Sequence, residues 1–167
     1  RSGAGGGISA ELLARAGLEV VIVEEGPLRS SRHFDQLEAV AYPTLYQEGA
    51  GRKTEDKAIN ILQGRCVGGS TTVNWTRSLR PPPDTLHYWR RHFGLEFGGA
   101  ALTRYFEQAE RRLGIAPWLV PPNENNDLLR RGAARLGIAS ASIARNVRGC
   151  ANLGSCGMGC PLNAKQS

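Results

Sequence analysis

The opening of the chain, "SGAGGGISAELLARAG" followed by "LEVVIVEEG", limits the possible folds more than any other stretch. Glycines crowd positions 3–7, after which Ile8, Leu12 and Ala16 fall four apart on one helical face and Gly17 supplies a C-terminal stop. Residues 18–23, rich in β-branched side chains, predict a short buried strand that ends at Glu24, Glu25 and Gly26. Glycine turn, helix and strand in that order are the turn, helix and second strand of a dinucleotide-binding unit. Gly3, Gly5 and Gly6 are its candidate cofactor-facing glycines. Gly3 lets the backbone approach a pyrophosphate, Gly6 lets the helix pack on its strand, and the helix N-terminus faces the phosphate charge. Glu24 stands where a carboxylate accepts a ribose hydroxyl, and Glu25 reads as a solvated neighbour. A glycine-rich tail before an ordinary helix would leave Glu24 at the end of a buried strand unexplained. Arg1 occupies the place of the fingerprint's first glycine, and no residue precedes it to build a first strand. The expectation is a parallel sheet with its first strand missing, in a chain that starts partway through a longer protein.

Charge and length narrow the function classes. The formal net charge is +6, with 7 Lys+Arg against 9 Asp+Glu in residues 1–60 and 14 against 6 in residues 61–167. The basic residues are scattered as pairs such as Arg90 and Arg91 or Arg130 and Arg131, with no recognition motif beside them, so nucleic acid is not the expected partner. No run of about 18 apolar residues spans a bilayer, and no apolar segment of signal-peptide form follows Arg1. The compartment stays open, with a cytoplasmic home favoured over the others. At 167 residues the chain holds one core, but it is short for an enzyme needing both a cofactor domain and a substrate domain.

A second glycine loop, "GRCVGGSTTVNWTRSLRPP", resembles the N-terminal signature of the glucose-methanol-choline (GMC) family of FAD-dependent oxidoreductases. Gly64, Arg65, Val67, Gly68, Gly69, Ser70, Thr71, Asn74 and Pro81 match the family pattern in order, while Ser78 departs from it. The resemblance runs from "GAGGG" near the start to "GCPLNAK" near the end. It implies an α/β fold with a Rossmann-like FAD-binding parallel sheet and added peripheral helices. It also implies a reaction in which an alcohol or polyol becomes a carbonyl, a base taking the hydroxyl proton while hydride passes to the flavin. Gly68 and Gly69 then remove side chains where the loop meets a flat ring and a diphosphate, with Arg65 beside them and Ser70 adding a hydroxyl. Asn74, Trp75 and Thr76 are carried over as flavin contacts. Some members attach FAD through a His immediately before that Asn; Val73 stands there, so the flavin is expected to be non-covalent. The family's catalytic His lies far towards the C-terminus and matches none of His33, His87 or His92, so no catalytic residue is named. The electron acceptor stays open between oxygen, a quinone and a cytochrome. The rival readings are another Rossmann flavin or nicotinamide oxidoreductase, and a non-catalytic fragment or cysteine-bearing binding module.

The rest of the chain divides into residues 1–83 for the cofactor, 84–148 as a helical insert and 149–167 as a cysteine-rich segment. Within the first division, residues 30–51 predict a short helix mixed with loop, and residues 58–62 a short strand. Asp84 is the expected cap of a helix after the proline run. Leu102, Tyr105, Phe106, Ala109 and Leu113 share a face of a second, and Asn126 and Gly137 cap and stop a third. The arginines of these helices read as a solvated face, the histidines as surface or packing residues, and "PWLVPPNENN" as a flexible joint. Cys66 reads as a small buried residue. Cys150, Cys156 and Cys160 are open to three readings: structural thiols, a disulfide, or ligands of zinc or an iron–sulfur cluster. Their spacing is neither that of a zinc ribbon nor that of a ferredoxin, and no bound metal is expected.

Overall fold

The computed structural model describes residues 1–96 and 99–166, which form two compact units, Arg1–Thr76 with Val147–Ser167, and Arg77–Asn146. In the first unit, α1 (Ala4–Arg15) starts from Gly3 and stops at Gly17, whose φ of +84° is the left-handed conformation a helix end needs. The expected apolar face of α1 is exposed at Ile8 and Leu12. Residues 18–23 are not a strand: Val21 is 81% exposed and Val23 79%. Among the described residues there is no parallel sheet at all, which corrects that part of the expected fold. The reason is physical: a strand is defined by ladder partners, and residues 18–23 have, among the described residues, only a bond from Leu18 N–H back to Leu13 O at 3.2 Å, at the end of α1, and one from the Arg1 ammonium to the Val23 carbonyl at 2.6 Å.

The core of this unit lies elsewhere. Ala41 and Leu45 on α2 (Glu38–Leu45) pack with Tyr46, Cys66 and Val73, and Phe34, Tyr42, Ala50 and Met158 close around them. Backbone bonds stitch three segments beside that core, Val67 N–H to Pro27 O at 3.0 Å, Arg65 N–H to Leu45 O at 2.7 Å and Gln47 N–H to Gln63 O at 2.8 Å. Tyr46 carries the long-range tie: its buried hydroxyl donates to the Gly157 carbonyl at 2.7 Å, and burial raises its pKa to about 12. The expected strand at 58–62 is reduced to one bridge between Lys53 and Asn60. An Asp56 turn, with the carboxylate accepting from Ala58 N–H at 3.1 Å, folds the segment back too soon for a ladder.

The second unit holds α4 (Pro83–Phe93), α5 (Gly99–Leu113) and α6 (Glu124–Arg135), after the four-residue α3 (Ser70–Val73) of the first. Two helix starts differ from expectation. Pro82 occupies the N-cap of α4, Pro83 takes the first helical position, where a proline has no N–H to lose, and Asp84 sits inside the first turn. Asn123 caps α6, accepting from the Asn126 N–H at 2.9 Å, so Asn126 is the capped residue and not the cap. Gly94 and Gly137 end α4 and α6 with positive φ. The only ladder among the described residues is antiparallel, β1 (Ala116–Pro117) with β2 (Ala144–Arg145). Arg80 grips Glu110 through two bonds of 2.6 and 2.7 Å, and Arg130 and Arg131 both pair with Asp127 on the exposed face of α6.

Candidate functional site

Three stretches distant in sequence meet at the N-terminal end of α1. Ser2 is the junction. Its N–H and hydroxyl reach Glu24 Oε2 at 2.7 and 2.9 Å, and Glu24 Oε1 accepts from Gly26 N–H at 3.1 Å. Gly68 N–H in turn donates to the Ser2 hydroxyl oxygen at 3.0 Å. The backbone N–H of Ser2, then that of Gly26 and the Ser2 hydroxyl, hold the Glu24 carboxyl down to about 2, so it is an acceptor at any working pH.

Gly69 and Gly6 are explained by close approach. A Cβ on Gly69 would come 3.1 Å from the Gly3 Cα, and Gly69 has a φ of +54°. The backbone that Gly69 approaches is thus the chain's own first turn. A Cβ on Gly6 would stand 2.0 Å from the Arg1 carbonyl oxygen, so only glycine lets α1 start this close to the preceding turn. Gly5 faces open space, where a Cβ would meet no heavy atom within 4 Å. The N–H groups of Ala4, Gly5 and Gly6 have no acceptor among the described residues, α1 has no side-chain cap, and its first turn holds no acidic residue.

Arg65 lies at the rim, 3.4 Å from Glu25, which also holds Arg1 at 2.7 Å. Glu25 is therefore a bridge between two arginines, beyond the solvated neighbour expected of it. Ser70 turns its hydroxyl inward and accepts from Gly64 N–H at 3.0 Å. Val73 is buried in the core. Asn74 Oδ1 accepts from Thr76 N–H at 3.0 Å, and the buried Thr76 takes a φ of +61°, an unusual conformation for a β-branched residue. Trp75 is half exposed, its ring edge against Gly157.

Beneath this loop lies a residue to which the sequence pattern assigns no role. Lys165 Nζ donates to the carbonyl oxygens of Thr72, Asn74 (3.1 Å) and Cys156 (2.8 Å). Burial lowers its pKa to about 8, which leaves it largely an ammonium at neutral pH. One signal for it exists in the sequence: of the 14 basic residues after position 60, Lys165 is the single lysine. Ser2 has no such signal beyond its place between Arg1 and Gly3.

The four cysteines are all thiols. Cys66 is fully buried, which pushes its thiol pKa up, and its sulfur lies 3.7 Å from the Gly69 carbonyl oxygen. The sulfurs of Cys150 and Cys160 accept backbone N–H groups, from Asn152 at 3.4 Å and Ala164 at 3.3 Å. Among the described residues no three His, Cys, Asp or Glu side chains are grouped to hold a metal ion. His33 is spent on a local cap with Ser30, and His92 stacks on Tyr88.

The sequence profile described as GMC oxidoreductase matches residues 42–167, which take in both the glycine loop and Lys165. The chain belongs to the GMC oxidoreductase family. It is 34% identical over 165 residues to a long-chain-alcohol oxidase of Arabidopsis thaliana, covering 98% of this chain and 22% of that relative. It is 40% identical over 171 residues to an uncharacterized GMC-type oxidoreductase of Mycobacterium tuberculosis, covering 98% of this chain and 27% of the relative. A third relative, the 6'''-hydroxyparomomycin C oxidase of Streptomyces lividus, is 28% identical over 150 residues, covering 86% and 27%. The chain thus spans about a quarter of the length of these relatives. The alignments with the first two relatives cover 98% of the chain, so they reach into residues 1–41, outside the profile match.

Proposed function

We propose that this chain carries the FAD-binding face of an oxidoreductase that oxidises an alcohol to a carbonyl compound. The observation that carries the reading is the convergence of the Gly3 turn, Glu24 and the loop at Gly68 and Gly69 on one end of α1. The donor set fits such a cofactor. Three unpartnered N–H groups at a helix start suit a diphosphate, because they add hydrogen-bond donors to the positive end of the helix dipole. Glu24 already accepts three bonds, and a carboxylate has room for about four, which leaves one place for a ribose hydroxyl. Asn74, Trp75 and Thr76, with Arg65 and Ser70 at the base of the loop, are the proposed neighbours of the flavin ring. Val73 carries no nucleophile and is buried, so the cofactor is held without a covalent bond at that position.

When bound, FAD supplies the hydride acceptor for a CH–OH donor. The residues of this chain bind and orient it; we assign none of them as catalytic acid or base. The names of the relatives support a small-molecule alcohol as substrate, with a long aliphatic alcohol the first to test.

The test is purification of the full-length protein that carries this chain. It is expected to be yellow, to release its flavin on acid precipitation, and to reduce a dye or oxygen with at least one member of a panel of aliphatic alcohols, aromatic alcohols and sugars. Colourless protein that takes up no added FAD overturns the reading. Flavin that stays with the precipitate overturns its non-covalent part.

A further inference from the structure

Lys165 is placed as no solvated lysine would be. Its ammonium has three N–H donors, and three backbone carbonyls, those of Thr72, Asn74 and Cys156, take one each. No carboxylate pairs with it among the described residues. A cation withdrawn from water and answered only by carbonyl dipoles is an expensive arrangement. What the arrangement fixes is the backbone of the loop. A trans peptide is planar, with its C=O and N–H pointing in opposite directions. Holding the Asn74 carbonyl on Lys165 therefore directs the Trp75 N–H to the opposite side, where it has no acceptor among the described residues. One peptide further on stands Thr76, whose strained positive φ needs surroundings that enforce it. Asn74 Oδ1 enforces it from one side, through the Thr76 N–H, and Lys165 from the other. A cation on the carbonyl also polarises the amide and strengthens its N–H as a donor.

We propose that Lys165 is a positioning residue that locks the peptide between Asn74 and Trp75 and presents the Trp75 N–H as a polarised donor to the bound flavin. This rests on the proposed FAD-binding role. It ties the Cys156 segment to the cofactor loop through one side chain, and it assigns that segment a duty independent of the state of its thiols.

The experiment compares full-length wild type with Lys165→Met and Lys165→Arg, by flavin affinity, by flavin midpoint potential and by hydrogen exchange of the backbone around residues 72–76 in the flavin-free proteins. Lys165→Met is expected to bind flavin at least tenfold more weakly, to shift the potential to more negative values, and to exchange the Thr76 amide, bonded to Asn74 Oδ1, at least tenfold faster. Lys165→Arg keeps the charge, but its flat guanidinium cannot serve all three carbonyls. It is expected to restore the potential while flavin affinity stays at least threefold weaker than in wild type. Wild-type potential and affinity in Lys165→Met overturn the proposal. Should Lys165→Met fail to fold, Lys165→Arg decides, and wild-type affinity in that variant overturns the proposal equally. A wild type that binds no flavin sinks the FAD reading itself, whereas a flavin-bearing wild type with indifferent Lys165 variants sinks only this inference.

Discussion

Residues 18–23 are aliphatic except for Glu19, yet Val21 and Val23 stand almost fully in solvent. Residues 64–76 contain three glycines, a serine and three threonines, yet they contribute Cys66, Val73 and Thr76 to the buried set. The difference lies in partners. The loop is met from three sides, by Ser2 through Gly68, by Leu45 through Arg65 and by Lys165 through Thr72 and Asn74. The aliphatic segment is met by Arg1 at its far end and, at its start, by the end of α1 through Leu18 N–H and Leu13 O. Apolar composition supplies the driving force for burial, but a surface must be present to receive it.

The sharpest way to break this contrast is to put a side chain into the loop. Gly69→Val in the full-length protein forces a β-branched residue to a φ of +54° and drives its Cβ to 3.1 Å from the Gly3 backbone. Backbone strain alone is worth about 1–3 kcal/mol, and the overlap pushes the first turn away from the loop. The expected outcome is at least a tenfold loss of flavin affinity and a lower melting temperature. Wild-type flavin content places the cofactor away from this loop.

Next in size is the tie that holds the Cys156 segment against the core. Tyr46→Phe removes the donor to the Gly157 carbonyl and leaves that oxygen buried without its partner, a loss of about 1–3 kcal/mol. Chemical denaturation measures it. A change under about 0.5 kcal/mol would show that water replaces the hydroxyl.

The acid limb of stability tests the Ser2 junction. The folded pKa of Glu24 is about 2, depressed from an ordinary 4.5, so its contribution is fully present above the unfolded value and is lost as pH falls towards 2. Glu24→Gln is expected to flatten the stability profile between pH 4.5 and 2 and to lower stability at neutral pH, with Ser2→Ala moving the same way by less. An unchanged acid limb in Glu24→Gln would mean that the carboxylate is solvated.

How much of this was legible follows the same division. The spacing of Ile8, Leu12 and Ala16 and the stop at Gly17 gave α1, and the long amphipathic patterns gave α5 and α6, because these depend on neighbours three and four residues away. Caps shifted by two or three residues, at Pro82 for Asp84 and at Asn123 for Asn126, since several adjacent residues compete for one position. A strand at 18–23 was not decidable from its own composition, as the ladder partner is a property of another segment. In the candidate site, Gly68, Gly69 and Glu24 stand out as residue types. Ser2 does not, and Lys165 stands out only as the single lysine after position 60, with its role hidden because the partners of the two lie 66 positions away at Gly68 and 93 away at Thr72.

The smallest effect tests the other side of the comparison. Val21→Thr and Val23→Thr replace exposed methyls by hydroxyls, and in this chain the change is expected to stay within about 0.5 kcal/mol, as at most surface positions. The same double variant in the full-length protein distinguishes two situations. If the segment there finds a sheet to pair with and a helix to pack on, each burial of a valine methyl is worth about 0.8 kcal/mol or more, and each hydroxyl must find a partner. Denaturation of both lengths, wild type and variant, gives the comparison as a difference of differences. A penalty confined to the longer protein would show that residues 18–23 form a buried strand when partners are supplied. Equal indifference at both lengths would show that these side chains remain on the surface and that the aliphatic run serves no sheet.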